Sequence, residues 1–250
     1  SLMEKEGLSE GIIEEFSSVR PHLDMGLSRA GDESFSGVGV PLSLLSHFRS
    51  YPDGKYGQWA NCYAPWWHTS LDSLDKVDYD FLVRDAKINI KLVWEIAQAE
   101  KLPVDLRRFA SRMFKMLSEI NERSAADFDL SAVLERLTDL ESALDKLCQA
   151  MERYRVQDTD DILKKVAGGM VRLTYTYGSP YYHDPAYSGS SAFHLLSSVE
   201  GVTKSNTSPE TYLMLKTDFI RQCNRQNAEM AKLIEAIDVQ IKRWEYATQA

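Results

Sequence analysis

Long stretches of this chain contain no helix-breaking residue. Eight of the 13 glycines fall at or before Gly57, the next is Gly168, and proline is absent from 104 to 179. Because glycine and proline interrupt helices and punctuate loops, the first 70 residues are predicted to be rich in loops and the next hundred to form long helices. The fold class that follows is mainly α.

Five segments have the apolar spacing of helices. They cover 78–101, 105–122, 130–154, 159–175 and about 35 residues from 208 onward. The third has the most regular seam, with apolar residues at alternating steps of three and four: Leu130, Val133, Leu137, Leu140, Leu144, Leu147, Met151 and Tyr154. In the last segment, Ser208 is predicted as the N-cap and Pro209 as the first helical residue.

The part before residue 70 has a different character. A short helix is predicted over 11–19, and the apolar run within 38–48 is typical of a buried strand in an α/β sheet. The segment 50–67 is a long loop rich in Tyr, Trp, Pro and Gly, and loops of this length inside a domain are usually functional.

Composition excludes several functional classes. The chain has 29 basic and 37 acidic residues, a formal charge of −8, which argues against nucleic acid as a main partner. No apolar run approaches the ~18–20 residues of a membrane helix, and no segment has the pattern of a signal peptide. The three cysteines are too few and too scattered for a disulfide framework or a CxxC metal site.

Few residues form a recognisable catalytic pattern. His22 and Asp24 have the H-x-D spacing of some metal sites, and Glu14-Glu15 lies on the first predicted helix, where both side chains are expected to be exposed. The sequence has no G-x-S-x-G, Walker loop or H-E-x-x-H. The most distinctive segment is 66–72, Trp-Trp-His-Thr-Ser-Leu-Asp, between the long loop and the first long helix.

Four segments together, in order along the chain, resemble one family. They are 29–35 (RAGDESF) with 39–41 (GVP), 66–72 (WWHTSLD), 102–106 (LPVDL), and 180–183 (PYYH) with 187–189 (YSG). This series is similar to the zinc aminopeptidase family that also contains glutamate carboxypeptidase and the transferrin receptor. The resemblance extends over roughly residues 8–247.

The resemblance implies a fold and an assembly. Residues 4–100 would be a remnant, the C-terminal part, of an α/β zinc-peptidase domain, and 101–250 a transferrin receptor-like helical bundle. That helical domain forms homodimers in the family, and the apolar stripes of the third and last helices have more positions than one pairwise contact needs. By the same resemblance the parent protein would be secreted, periplasmic or membrane-anchored.

The resemblance also implies a site. His68 would be the last metal-binding residue of a two-zinc centre that hydrolyses peptide substrates, Gly31 and Asp32 would line the substrate pocket, and Trp67 would flank the metal. Trp67 stands where glutamate carboxypeptidase-like members carry Tyr, so side-chain preference is not implied.

The family's other zinc ligands lie upstream of the segment that matches 29–35. Glu14-Glu15 precedes His22-x-Asp24 here, the reverse of the family order, so none of these four is assigned as a ligand. The chain is therefore interpreted as the C-terminal portion of a longer peptidase, inactive in isolation. Two alternatives stay open: a non-catalytic dimerisation module of transferrin receptor type, and an unrelated helical bundle with a chance WWHT.

Overall fold

The computed structural model describes residues 38–40, 66, 69–154, 159–176 and 192–249. Within these ranges the regular secondary structure is helical, without a strand, which confirms the mainly α class. A short 3₁₀ turn, Leu74–Lys76, precedes the first α-helix. The α-helices are α1 (Tyr79–Gln98), α2 (Leu106–Arg123), α3 (Ser131–Arg153), α4 (Asp160–Tyr175), α5 (His194–Ser197) and α6 (Pro209–Gln249).

All five predicted long helices are confirmed; four have bounds within three residues of those expected, and α6, with 41 residues, is longer than the 35 or so predicted. Two of these helices begin at a residue whose side chain caps the first turn. The Asp105 carboxylate accepts a hydrogen bond of 3.0 Å from the Arg108 N–H at the start of α2, and the Ser208 hydroxyl accepts one of 3.2 Å from the Thr211 N–H at the start of α6. Each bond satisfies a backbone donor that the first helical turn leaves without a partner.

The strand expected within 38–48 does not begin at Val38. Residues 38 and 39 form a turn, and the Val38 side chain is exposed. Gly39 has a φ of +78°, a left-handed conformation that glycine adopts at little cost and that would interrupt a strand. Residues 41–48 and the short helix expected over 11–19 lie outside the described residues, so an α/β remnant finds no support in this structure.

Residues 38–40 and 100–249 belong to one compact unit, a helical bundle. In this unit α6 packs against α3, α4 and α5, while α2 packs against α3 and α4. With 41 residues, α6 is about 60 Å long and so reaches several partners in turn. The bundle core is one continuous apolar cluster to which every one of these five helices contributes.

The apolar seam of α3 is used up inside this bundle. The six seam residues from Leu130 to Leu147 are at most 1% exposed, and the stripe of α6 is buried in the same core through Phe219, Met230, Ile237 and Trp244. The apolar positions of α3 and α6 that suggested dimerisation are therefore buried within a single chain. A dimer would have to form through another surface.

A polar cluster fastens the loop between α2 and α3 to the start of α6. The Asp127 carboxylate accepts a hydrogen bond from the Tyr212 hydroxyl and pairs with Lys204 Nζ at 2.8 Å and Lys216 Nζ at 3.7 Å. The ring of the next residue, Phe128, is buried and makes edge-on contacts with the rings of Tyr212 and Phe219. The loop is thus held by an aromatic contact inside and by ion pairs at the surface.

Residues 66 and 69–99 belong to a second unit. Its main element, α1, exposes many large apolar side chains, whereas Ile88 is fully buried. The exposed ones recur mostly at steps of three and four, so they lie along one side of the helix: Tyr79, Leu82, Val83, Ile90, Val93 and Trp94.

Candidate functional site

The residues predicted to form the site lie outside the described part of the chain. These are His68, the predicted zinc ligand, with Trp67 beside it, and the pocket residues Gly31 and Asp32. The roles that the resemblance implies for these four residues therefore stay predictions.

Trp66 and Thr69, which lie on either side of Trp67 and His68 in the sequence, are joined by the hydrogen bonds of a turn. The Thr69 N–H donates a hydrogen bond of 3.0 Å to the Trp66 carbonyl oxygen, and the Thr69 hydroxyl donates a second one of 2.6 Å to the same oxygen. The same hydroxyl accepts a bond of 3.2 Å from the Leu71 N–H. Thr69 is thus the residue that fixes the chain immediately after position 68.

Asp72 contributes to this turn through its backbone. Its backbone N–H donates a bond of 3.1 Å to the Thr69 carbonyl oxygen. The side chain is exposed, and within the described ranges no residue donates a hydrogen bond to its carboxylate. The backbone of Asp72, and not its carboxylate, supports the turn.

The described residues near this turn do not fit a zinc centre. Across the described ranges, no group of three or more His, Cys, Asp and Glu side chains lies close enough to hold a metal ion. Asp75 is already engaged, because Lys76 and the Ser73 hydroxyl both donate to its carboxylate and lower its pKa. Since catalytic zinc needs about three protein ligands, the zinc hypothesis depends on residues outside the described ranges.

In the bundle unit, Gly39, from the 39–41 segment of the family-like series, contacts α4. A Cβ built on Gly39 would lie 2.7 Å from the Gly168 carbonyl oxygen and 2.5 Å from Arg172 Nη1. Only glycine fits this position, both because of its positive φ and because the backbone of α4 is so close. The Gly39 turn therefore packs directly on α4 at Gly168, with the Arg172 guanidinium beside it.

A second arginine lies at the carboxyl end of α4. The Arg225 guanidinium, from α6, donates to the Thr176 hydroxyl at 2.9 Å, to the Thr176 carbonyl oxygen at 3.3 Å and to the Arg172 carbonyl oxygen at 3.4 Å. A cation at this end of a helix complements the helix dipole. Burial lowers the pKa of Arg225, and the charge of Arg172 lowers it further, against the opposite effect of Glu229.

Sequence reasoning did not single out Gly168, Arg172 or Arg225. One signal was available: Gly168 and Gly169 are the first glycines after Gly57 and interrupt a predicted helix. A glycine inside a helix costs stability relative to alanine, which is tolerated where another chain segment approaches closely.

Comparison with protein-family models, with curated proteins and with solved structures found no match to this chain. Among the described helices, none is both long enough and apolar enough to cross a membrane.

Proposed function

We propose that this chain is the C-terminal portion of a zinc-dependent exopeptidase. The observation that carries the proposal is the order of the matching segments, from 29–41 through 66–72 to 102–106. Two structural features support it: the turn that Thr69 closes onto Trp66, next to the proposed ligand, and the helical bundle that begins with α2 directly after the third segment.

In this proposal the two zinc ions of the parent enzyme would activate a water molecule and polarise the scissile carbonyl group. His68 would hold one ion through an imidazole nitrogen, Gly31 and Asp32 would line the pocket for the peptide, and Trp67 would flank the metal. The remaining ligands would come from sequence upstream of this chain. One imidazole cannot hold two cations against water, so the isolated chain should be inactive.

The experiment compares two proteins. The full reading frame should show exopeptidase turnover that a chelator abolishes and zinc restores, whereas the 250-residue chain should show none. His68→Ala in the full protein should remove turnover and about one bound zinc equivalent. His194→Gln, in α5, is the matched control and should leave zinc content unchanged. Chelator-sensitive turnover by the 250-residue chain, or normal zinc content after His68→Ala, would contradict the proposal.

The alternative is a non-catalytic interaction module. It is compatible with a helical bundle whose apolar core is complete within one chain, and its dimer would have to form through a surface other than the α3 seam and the α6 stripe. This alternative predicts a full-length protein without zinc or turnover that is a stable dimer. Sedimentation equilibrium of the chain at high micromolar concentration tests the dimer, and a mass near the 28.4 kDa of one chain would count against it.

A further inference from the structure

The helix α1 has its apolar side turned outward. Six of its large apolar side chains are between 50% and 68% exposed: Tyr79, Leu82, Val83, Ile90, Val93 and Trp94. Most of the less exposed side chains lie on the opposite side of the helix, and three of these five are charged: Arg84, Ile88, Lys91, Leu92 and Glu95. A surface helix of a globular protein normally has the reverse arrangement, with apolar side chains inward and charged ones in water. The inversion indicates that another surface covers the outward face of α1.

The outward face has the spacing of a helix-pairing seam. Its central positions follow one another at alternating steps of four and three: Tyr79, Val83, Ala86, Ile90, Val93 and Ala97. This is the a/d repeat through which two helices interlock their side chains. None of the six side chains is charged, so a helix packed along the seam would withdraw no charge of α1 from water at these positions. The spacing thus favours a helix as the covering element.

The outward face is also large enough for a specific interface. Its two aromatic and four aliphatic side chains present roughly 500 Å² of exposed apolar surface. Two such faces packed together would remove roughly 1,000 Å² from water, the lower limit for a specific interface, before polar atoms at the rim are counted.

We propose that α1 pairs antiparallel with the α1 helix of a second copy of this chain. A second copy fits because the seam is complementary to itself when the two helices run in opposite directions about a two-fold axis at the level of residue 88. Each layer then joins two different seam positions, one from each copy: Val83 with Val93, Ala86 with Ile90, and Tyr79 with Ala97. Both alanines thus meet a larger side chain, which fills the space between the helices. In a parallel pair the alanines would face each other and leave gaps.

The pairing goes beyond the proposed function, since it needs neither zinc nor His68. It also differs from the dimer that the family resemblance implies, which would form through the helical domain. Lys87 flanks the seam near the two-fold axis in both copies, where its long side chain keeps the charge in water and a like-charged pair costs little. Zinc content and turnover test the peptidase, whereas the oligomeric state of α1 variants tests the pairing.

Sedimentation equilibrium of the 250-residue chain tests the second copy. At high micromolar concentration the mass should be near twice the 28.4 kDa of one chain. Ile90→Lys should raise the dissociation constant by about tenfold or more, because it places an ammonium group inside the seam. Ile220→Lys, the same change at an exposed isoleucine of α6, is the matched control and should leave the mass unchanged. Both side chains are exposed in a single copy, so neither change should alter folding, which circular dichroism checks.

Two results of this experiment would overturn the proposal. A mass near 28.4 kDa at high micromolar concentration would assign the outward face to another part of the chain or to a different partner. A dimer that survives Ile90→Lys would show that the copies meet through another surface.

Disulfide trapping tests the direction of pairing and does not depend on the lysine variant. A mixture of Val83→Cys and Val93→Cys chains should form a covalent heterodimer through the two new cysteines, identified by peptide mass spectrometry. Neither variant alone should form a disulfide between its new cysteines, because in the antiparallel pair these lie about 15 Å apart along the helix axis. The parent chain, with its native cysteines, is the control. A disulfide between two Val83→Cys chains, or its absence from the mixture, would contradict the antiparallel arrangement.

Discussion

Leu233 of α6 lies so close to Gly169 of α4 that a Cβ built on the glycine would fall 2.5 Å from one δ-methyl carbon and 2.9 Å from the other. The glycine is buried, and Leu233 is 6% exposed and part of the central core. The two helices approach here as closely as the leucine side chain permits. This contact explains why α4 tolerates a residue that weakens a helix.

Gly169→Ala should destabilise the bundle in spite of the higher helix propensity of alanine. The propensity gain is about 1 kcal/mol, whereas forcing a methyl group into a packed core costs about 1–3 kcal/mol. We expect a net loss of about 1 kcal/mol in the free energy of unfolding, measured by urea denaturation. An increase in stability would show that Leu233 can move aside.

The same contact predicts a coupling between the two positions. Leu233→Ala alone should cost about 2–5 kcal/mol, because it leaves a cavity. The double variant Gly169→Ala/Leu233→Ala should lose less than the sum of the single losses, by at least about 0.5 kcal/mol, since the added methyl group then has room. Leu144→Ala, at another buried position, serves as the control partner for Gly169→Ala, and its effect should simply add.

Asp127 should contribute stability that disappears in acid. Its pKa is lowered from 3.8 to about 2, mainly by Lys204 and then by the Tyr212 hydroxyl. A carboxyl group with a lowered folded-state pKa stabilises the protein above the unfolded value and loses that effect as pH falls through the folded value. The contribution should therefore be full above pH ~4 and vanish towards pH ~2.

Urea midpoints of the parent chain and of Asp127→Asn test this dependence. The difference between the two proteins should be clear at pH 6 and should shrink as pH approaches 2. Asp218→Asn is the control, at an exposed aspartate that pairs with Arg221 one turn along α6. A difference that stays constant with pH would mean that Asp127 acts through shape and not through charge.

The helices could be predicted because their signals are local. The long interval without glycine, the capping side chains of Asp105 and Ser208, and the three-and-four spacing all act within one or two turns of chain. The helix α5 gave no such signal. It has four residues and begins after Phe193, whose φ of 56° is held by burial of the ring and a 2.7 Å bond from its N–H to the Thr174 carbonyl oxygen.

The contacts around α4 could not be predicted, because they join residues far apart in sequence. The sequence places two glycines in the middle of a predicted helix. It does not indicate that Gly168 contacts the Gly39 turn or that Gly169 contacts Leu233. Likewise, the motif around His68 identifies a candidate ligand, whereas a metal centre depends on several side chains brought together by the fold. Such long-range contacts are decided by tertiary packing.

The two cysteines of the bundle should react slowly while the protein is folded. Burial raises the pKa of Cys223 to about 11 and also raises that of Cys148, so at pH 8 both remain almost entirely thiols. Because the thiolate is the reactive form, iodoacetamide should label both much more slowly in buffer than in urea. Peptide mass spectrometry resolves the two sites. Equal labelling rates in the two conditions would mean that the helices open locally.

The stability effect of these thiols has the opposite pH dependence to that of Asp127. A group whose folded-state pKa is raised stabilises the protein below its unfolded value and loses that contribution as pH rises through the folded value. Stability should thus decline between pH ~9 and ~11, and Cys223→Ser should make the decline smaller. The measurement is the urea midpoint as a function of pH, with both proteins kept reduced.

Gln226 of α6 is 2% exposed, and its Nε2 donates a hydrogen bond of 2.9 Å to the Leu173 carbonyl oxygen. Its Oε1 has no hydrogen-bond partner among the described residues, so the amide is only half satisfied. Gln226→Glu should be strongly destabilising at neutral pH, since it replaces the donor by a buried carboxylate facing a carbonyl oxygen. Burial should raise the pKa of the new carboxyl group above its ordinary ~4.3, so the deficit should grow as pH rises from 4 to 8. Gln226→Met, of similar size and uncharged, should cost about 1–3 kcal/mol at every pH because it only leaves the Leu173 carbonyl without its donor. Urea midpoints of the three proteins at pH 4, 6 and 8 separate the two effects, and a glutamate variant with a deficit independent of pH would show that water reaches this position.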